Sequence, residues 1–305
     1  MEIREPERLT PVIGEADVIV VGSGPGGLSA AIAAARAGVS VILIERFGCF
    51  GGNITSVGVE GFAWYRHENT IEAGGLAFEY EQRALESNAA VPESQSKSYE
   101  LDSEGFKVVA DNLVLKAGVR PMLHRAFCAP ILDGDEIKGV ITESKAGREA
   151  ITGKIIIDAT GDADVARRSG VKVFKNKKED MISASVMFHM SGVNKEEFMN
   201  EIERDPQKYS DWSDKNWQVQ TSGKEDDMFS PFLRKPFEKA KDSGLIDSDL
   251  QTISGTWGAI HDSGELTYLN LVHLNGIDGT DPESLTKGEI EGRNCLLYTS
   301  DAADE

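Results

Sequence analysis

The chain has 305 residues, 40% of them hydrophobic, enough for one large or two modest domains with a real core. Its net charge of −19 argues against nucleic acid or an anionic membrane surface as a partner, because both need a basic face. No apolar run has membrane-spanning length, the start MEIREPERLTP lacks the basic and apolar regions of a signal peptide, and the three cysteines, Cys49, Cys128 and Cys295, form no CxxC pattern, so a cytoplasmic enzyme without a structural metal is expected.

Residues 1–16 read as a polar, proline-containing lead-in. Asp17 to Val21 is an apolar run ending at glycine, as suits a strand buried on both faces of a parallel sheet. Gly22, Gly24 and Gly27 follow in GxGxxG spacing: the first permits a tight turn, the second lets backbone approach a pyrophosphate, and the third lets helix pack on strand. Leu28 to Ala37 is an alanine-rich helix stopped by Gly38. A second apolar run, Val39 to Ile44, ends in Glu45, about 18 residues past Gly27, where a carboxylate can accept both hydroxyls of an adenosine ribose. Strand, turn, helix, strand and acid in register make one βαβ unit for an ADP moiety, and leave NAD and FAD both open.

Ile54 to Gly75 is glycine-rich, with Trp64, Tyr65 and His67, and reads as a loop covering a ligand. His67 is expected to be solvated or packed, with proton donation to a substrate as the alternative. A helix is expected over Leu76 to Leu85 with Leu76, Ala77, Tyr80 and Ala84 on one face, then an exposed loop over Glu86 to Glu104. Phe106, Val109, Ala110, Leu113, Val114 and Ala117 keep helical spacing, so Glu104 to Ala117 is an amphipathic helix ended by Gly118. Val119 to Leu123 reads as a strand, and Phe127 to Leu132, Ile137 to Glu143 and a strand ending at Ile155 to Ile157 form an antiparallel meander inserted before the parallel sheet resumes. KIIIDATGDADV, Lys154 to Val165, is the second turn at the carboxyl end of a parallel strand, where open α/β sheets bind ligands. Asp162 and Asp164 could serve there simply as helix caps.

Beyond this, Ser183 to Gly192 alternates and begins a second region, and Asn194 with Glu197 resembles a capping box. Glu203 to Asp227, with Trp212 and Trp217, is either a lid over substrate or a solvated insertion, and Ser230-Pro231 and Lys235-Pro236 mark helix starts. Thr252 to Leu274, with Tyr268, Asn270, Val272 and Leu274 alternating, reads as strands of a substrate-binding sheet; His261 and His273 within it are expected to be structural, with a flavin-facing role as the alternative. Thr286 to Glu289 is a capping box for a helix that stalls after Asn294.

Taken together, the first βαβ, ERFGCFGGN, the AGV before the meander and DATGDADVA resemble the bacterial and archaeal FAD-dependent oxidoreductase family, of glutathione reductase-type FAD fold and related to the flavoprotein subunit of heterodisulfide reductase. The resemblance spans about Asp17 to Arg293 and implies FAD as cofactor. By that resemblance Gly22, Gly24, Pro25, Gly26 and Gly27 meet the pyrophosphate, and Glu45 and Arg46 the adenosine ribose. Gly51, Gly52 and Asn53 lie on the ribityl side, the Phe127 backbone brackets adenine, and Ala159, Thr160, Gly161 and Asp162 form the returning turn. No catalytic residue carries over. The loop lacks the cysteine pair that disulfide reductases carry just after Gly51-Gly52, which removes thiol exchange, and the cluster-binding cysteines of some relatives are absent. Cys49, just before that loop, is expected to be a small packing residue, with a place near the cofactor as the alternative.

The eleven residues CLLYTSDAADE, Cys295 to Glu305, match what a transposase-derived sequencing adapter would encode, so a translated adapter tail on a truncated gene is expected. The expected fold class is α/β: a Rossmann-type FAD-binding domain with an inserted antiparallel meander over 17–170, a second α+β substrate or cap domain over 171–285, the start of a returning helix at 286–294 and a non-native tail at 295–305. The expected function is an FAD-dependent oxidoreductase acting on a small-molecule substrate, with a possible electron-transfer partner. The rivals are an NAD-dependent dehydrogenase, an electron-transfer subunit of a larger complex, and an inactive ADP-binding fragment.

Overall fold

The computed structural model describes the chain except residues 1, 5, 62–65, 68–69, 72–73, 93–98, 205–240, 245–260, 271, 273 and 302–305. Trp64, Tyr65, Trp212, Trp217, the Ser-Pro and Lys-Pro helix starts and His273 lie outside the described residues. The chain divides into two compact units, one of Met1–Ser56, Gln82–Ser87 and Ser103–Phe174, the other of Val57–Glu81, Asn88–Asp102 and Lys175–Glu305.

In the first unit, β1 (Val12–Val21), α1 (Pro25–Arg36) and β2 (Val41–Ile44) form the expected βαβ. After the short α2 (Asn53–Ser56) the chain leaves the unit and returns, and α4 (Ser103–Lys116) and β7 (Arg120–Met122) complete the parallel set. Then come β8 (Ala126–Asp133), β9 (Glu136–Ser144), β10 (Gly147–Asp158) and α5 (Asp164–Arg168). All six strands join one sheet in the order β7-β2-β1-β10-β9-β8. The first four are parallel, and β9 and β8 continue the sheet antiparallel.

This alters two expectations. The antiparallel meander is present as β8, β9 and β10, but it is continuous with the parallel sheet, because β10 is both its last strand and the fourth parallel strand: Gly147–Thr152 pairs with β9 while Ala150–Asp158 pairs with β1. The lead-in is also shorter than expected. Val12–Ala16 already runs beside Ala150–Gly153, a pairing that gives these backbone groups partners but leaves no local pattern in a mixed polar stretch.

Asp17 fixes the base of this arrangement. Its Oδ1 accepts from Lys154 Nζ at 2.6 Å, and its Oδ2 accepts from the amide and hydroxyl of Ser40 at 3.0 and 2.6 Å, tying β1 to β10 and to the entry of β2. The Lys154 ammonium and the Ser40 donors hold the carboxyl far below the usual aspartate range. Above it, strand side chains alternate between two cores. Ile19, Val21, Ile42, Ile44, Met122, Val140, Ile151 and Val165 of α5 make one cluster. Helix α1, through Leu28, Ala31 and Ile32, packs on β1, β2 and β10 and against α4, whose Phe106, Val109, Ala110, Leu113 and Val114 are all buried as the helical spacing requires.

The second unit contains β3 (Arg66–His67) paired with β4 (Thr70–Ile71), most of α3 (Leu76–Glu86), and β5 (Ala90–Pro92) paired with β6 (Tyr99–Leu101). The last pair lies where a loop was expected. Tyr80 and Ala84 of α3 are buried, as the expected face required. β11 (Met187–Met190) pairs antiparallel with β12 (Leu266–Asn270), which bears out the alternating stretch around Tyr268 as strand and makes part of the Ser183 to Gly192 stretch its partner. Asn194 Oδ1 accepts from the Glu197 amide at 3.1 Å and opens α6 (Lys195–Arg204).

The final helix, α7 (Pro282–Asp301), begins four residues before the expected Thr286. Asp281 Oδ1 accepts the Glu283 amide at its start, while the Thr286 hydroxyl donates to Pro282 O inside the helix. It does not stall at Asn294: it continues to Asp301, and Leu296 packs against the cluster of Val272, Leu274 and Ile277. Among the described residues no helix is long and apolar enough to cross a membrane.

Candidate functional site

At the carboxyl ends of β1 and β10 two turns meet. Gly22, at φ +96°, lets the chain reverse after β1 while its amide donates to Ile44 O at 2.8 Å. Ala159 N donates to Val21 O at 2.8 Å, which brings the second turn against the first. The contact is close enough that a Cβ on Gly22 would sit 2.2 Å from Ala159 O. Helix α1 then starts at Pro25 with glycine at its N-cap, so no capping side chain covers its first turn. Amides of a first turn have no intrahelical acceptor and carry the positive end of the helix dipole. A Cβ on Gly24 or Gly26 would meet nothing within 4 Å, so the backbone here lies open to an approaching anion.

The Gly51-Gly52 loop closes on the same turn. Gly51 N donates to Ser23 O at 2.9 Å, and Gly52, at φ +55°, lies so near that a Cβ on it would stand 2.6 Å from Gly24 Cα. Asn53 and Asp162 are exposed, as are Gly161 and Arg46, whose guanidinium lies 4.7 Å from the Phe47 ring centroid. Cys49 Sγ is 3.7 Å from Thr55 Oγ1 and 3.8 Å from Ser56 Oγ, neighbours that give it a packing role in the loop.

Glu45 has partners within the chain that its place at the end of β2 did not reveal. Its side chain is buried, and its Oε2 accepts from both the amide and the hydroxyl of Ser23, at 2.9 and 2.6 Å, while Oε1 accepts from Phe47 N at 2.9 Å. The acid thus braces the first glycine turn. Its backbone continues the link outward: Glu45 N donates to Met122 O and Arg125 N donates to Glu45 O, each at 2.9 Å, which sets the chain entering β8 beside it. Phe127 follows on β8, half-buried, with the Arg168 guanidinium 5.7 Å from its ring centroid and bonded to Cys128 O at 2.5 Å.

The returning turn is built by Asp158, whose part the sequence did not reveal. Its Oδ1 accepts from the amide and hydroxyl of Thr160 at 3.1 and 2.7 Å, and its Oδ2 accepts from Ala166 N at 2.9 Å. The Thr160 hydroxyl in turn accepts from Asp164 N at 2.9 Å. The caps of α5 therefore come from Asp158 and Thr160, and Ala163 takes up the left-handed φ of +58° at the N-cap. An aspartate closing an apolar strand just before a small-residue turn was the available signal. For Ser23 there was none, since it fills a variable position of the glycine pattern.

This edge can therefore hold a diphosphate on backbone donors and a sugar hydroxyl on a carboxylate. It brings together Gly22 to Gly27, Glu45, Gly51, Gly52, Ala159 and Thr160.

The sequence model of the FAD dependent oxidoreductase family matches residues 17–303, into the CLLYTSDAADE segment. The chain is similar to thiamine thiazole synthase from Saccharolobus islandicus, 30% identical over 171 residues, covering 52% of this chain and 60% of that protein. It is also similar to the soluble pyridine nucleotide transhydrogenase of Mycobacterium bovis, 30% identical over 167 residues, covering 52% of this chain and 33% of that protein. Among solved structures, a geranylgeranyl bacteriochlorophyll reductase-like protein from Thermoplasma acidophilum superposes with a TM-score of 0.45 at 22% identity, over 59% of this chain and 48% of that one. The aligned part thus spans less than two thirds of these proteins' own length.

Proposed function

The chain belongs to the FAD dependent oxidoreductase family, and from that premise we propose that it binds FAD non-covalently at the edge where the β1 and β10 turns meet, and moves hydride or electrons between a small-molecule substrate and a second acceptor. The observation that carries this is the convergence of three backbone segments, Gly22–Gly27, Gly51–Gly52 and Ala159–Asp162, around open space at the uncapped start of α1. Such a cradle suits a dinucleotide pyrophosphate, whose charge the first-turn amides and the helix dipole stabilise whatever the net charge of the chain.

In this reading Gly22, Gly24, Pro25, Gly26 and Gly27 hold the pyrophosphate and Glu45, with Arg46 beside it, meets the adenosine ribose. Gly51, Gly52 and Asn53 line the ribityl side, Phe127 brackets adenine, and Ala159, Thr160, Gly161 and Asp162 close the returning turn. FAD, when bound, supplies the redox chemistry. The chain's own residues bind and orient it. The glutathione reductase-type plan and the kinship with the heterodisulfide reductase flavoprotein are part of the proposal, as are a cytoplasmic setting and an electron-transfer partner. So is the adapter origin of Cys295–Glu305, which sequencing the source DNA across the Asn294 codon decides.

The test is to incubate the purified chain with FAD or, in parallel, with NAD, remove free cofactor by gel filtration, and measure retained flavin or nicotinamide nucleotide against protein. Retention of one flavin per chain supports the proposal. Retention of NAD and no flavin would favour an NAD-dependent dehydrogenase instead.

A further inference from the structure

Glu45 already carries three donors before any ligand reaches it: Ser23 N and Ser23 Oγ on Oε2, and Phe47 N on Oε1. A carboxylate offers about four lone-pair sites. One is left, while an adenosine ribose presents two hydroxyls.

For a second hydroxyl to enter, one of the three donors must leave. Two are backbone amides held by their surroundings. Ser23 lies between the bonds Gly22 N to Ile44 O and Gly51 N to Ser23 O, at 2.8 and 2.9 Å, and Phe47 is two residues beyond Glu45, whose own amide and carbonyl are tied to Met122 and Arg125. The third donor, the Ser23 hydroxyl, sits on a rotatable bond. Ser23 is 0% exposed, however, and Glu45 only 6%, so a hydroxyl that turned away would give up a charge-assisted bond with no water to replace it.

We infer that Glu45 accepts a single ribose hydroxyl, and that the Ser23 hydroxyl is the positioning group that sets this limit. The inference deepens the proposed nucleotide reading and rests on it. It makes this site tolerant of adenine nucleotides lacking one of the two hydroxyls, in contrast to a carboxylate that engages the whole diol.

The experiment is isothermal titration of the full chain and of Ser23→Ala with ADP, 2′-deoxy-ADP and 3′-deoxy-ADP. The unsubstituted chain is expected to bind one deoxy analogue as tightly as ADP and the other about tenfold more weakly or worse, the loss expected for one hydrogen bond to a charged acceptor. In Ser23→Ala the freed lone pair admits the second hydroxyl, so both analogues should fall about tenfold or more below ADP. Equal loss for both analogues in the unsubstituted chain would overturn the inference while upholding Glu45 as the ribose acid, and this arm decides even if Ser23→Ala fails to fold. Equal binding of all three ligands to both proteins would overturn the role of Glu45 itself. Absence of ADP binding by a cooperatively melting chain would overturn the nucleotide reading beneath it.

Discussion

Gly27 lies so close to the carbonyl of Gly22 that a Cβ on it would stand 2.0 Å from that oxygen, and 3.0 Å from Ala159 Cβ. The third glycine of the pattern thus serves the packing of helix on strand, and the other glycines of the turn serve different ends. Gly27→Ala must displace backbone and should cost about 1–3 kcal/mol of stability. Gly26→Ala meets nothing within 4 Å and lies inside α1, so helix propensity should raise stability by up to about 1 kcal/mol. Gly24→Ala also meets nothing, yet its methyl would project where backbone must approach the pyrophosphate, so it should melt near the parent temperature and lose FAD affinity. Thermal melts alongside FAD titration separate these outcomes, and a Gly24→Ala protein that bound FAD normally would remove the pyrophosphate from this turn.

Asp158 satisfies three donors of the returning turn, Thr160 N, Thr160 Oγ1 and Ala166 N. Asp158→Ala leaves partly buried donors without their acceptor and should destabilise by about 1–3 kcal/mol. Hydrogen exchange provides the sharper check: loss of protection is expected at Ala166 and Thr160, with the β9–β10 ladder unchanged. Uniform loss across the sheet would mean that Asp158 supports the whole unit rather than the turn.

In the second unit, Lys175 Nζ donates to Asp278 Oδ2 at 2.6 Å while Asp278 Oδ1 accepts from the amide and hydroxyl of Thr280 at 2.9 and 2.8 Å. The Lys175 bond first, and then the Thr280 donors, hold the carboxyl at about 2 against the ordinary 3.8. A depressed carboxylate contributes its stability fully above the unfolded value and loses it as pH falls from about 3.8 through about 2. Asp278→Asn should therefore lower stability at neutral pH and flatten its decline in that acid window. Parallel acid titrations of parent and variant by circular dichroism would show curves that converge toward low pH; curves that stay parallel would mean that Asp278 is not the titrating group.

Helix α7 packs through two glycines one turn apart. A Cβ on Gly292 would lie 2.3 Å from Val186 Cγ2 and 3.0 Å from Leu274 Cδ1, whereas one on Gly288 would stand 3.2 Å from the Ile277 side chain. Gly292→Ala should destabilise by about 1–3 kcal/mol, while the looser contact at Gly288 makes Gly288→Ala the milder change. Urea unfolding of the two variants tests the order, and equal midpoints would mean that α7 is not seated on Val186.

The features read most directly from the chain were those whose causes are local. GxGxxG, the alanine helix behind it and the strand ending at Glu45 could be placed because each is set by neighbours a few residues away. The same holds for the face of α4 and the Asn194 cap. Other features escaped because their partners are distant. The lead-in became strand only beside Ala150–Gly153, Asp17 found Lys154 at a separation of 137 residues, and the meander merged with the parallel sheet because β10 serves both ladders. The α7 start moved because Asp281 outcompetes Thr286 as a cap once Ile277 and Leu274 seat the helix.

The sequence by itself determined that this chain builds a dinucleotide-type turn and a second turn at a strand end, because glycine spacing and apolar runs act on the backbone where they stand. Only the tertiary structure decided that the two turns touch through Gly22 and Ala159, that Asp158 braces the second, and that Glu45 is held by Ser23 before any ligand arrives. These are hydrogen bonds and contacts between strands that a linear pattern cannot orient, and they exist because the parallel sheet sets β2, β1 and β10 side by side with their carboxyl ends together.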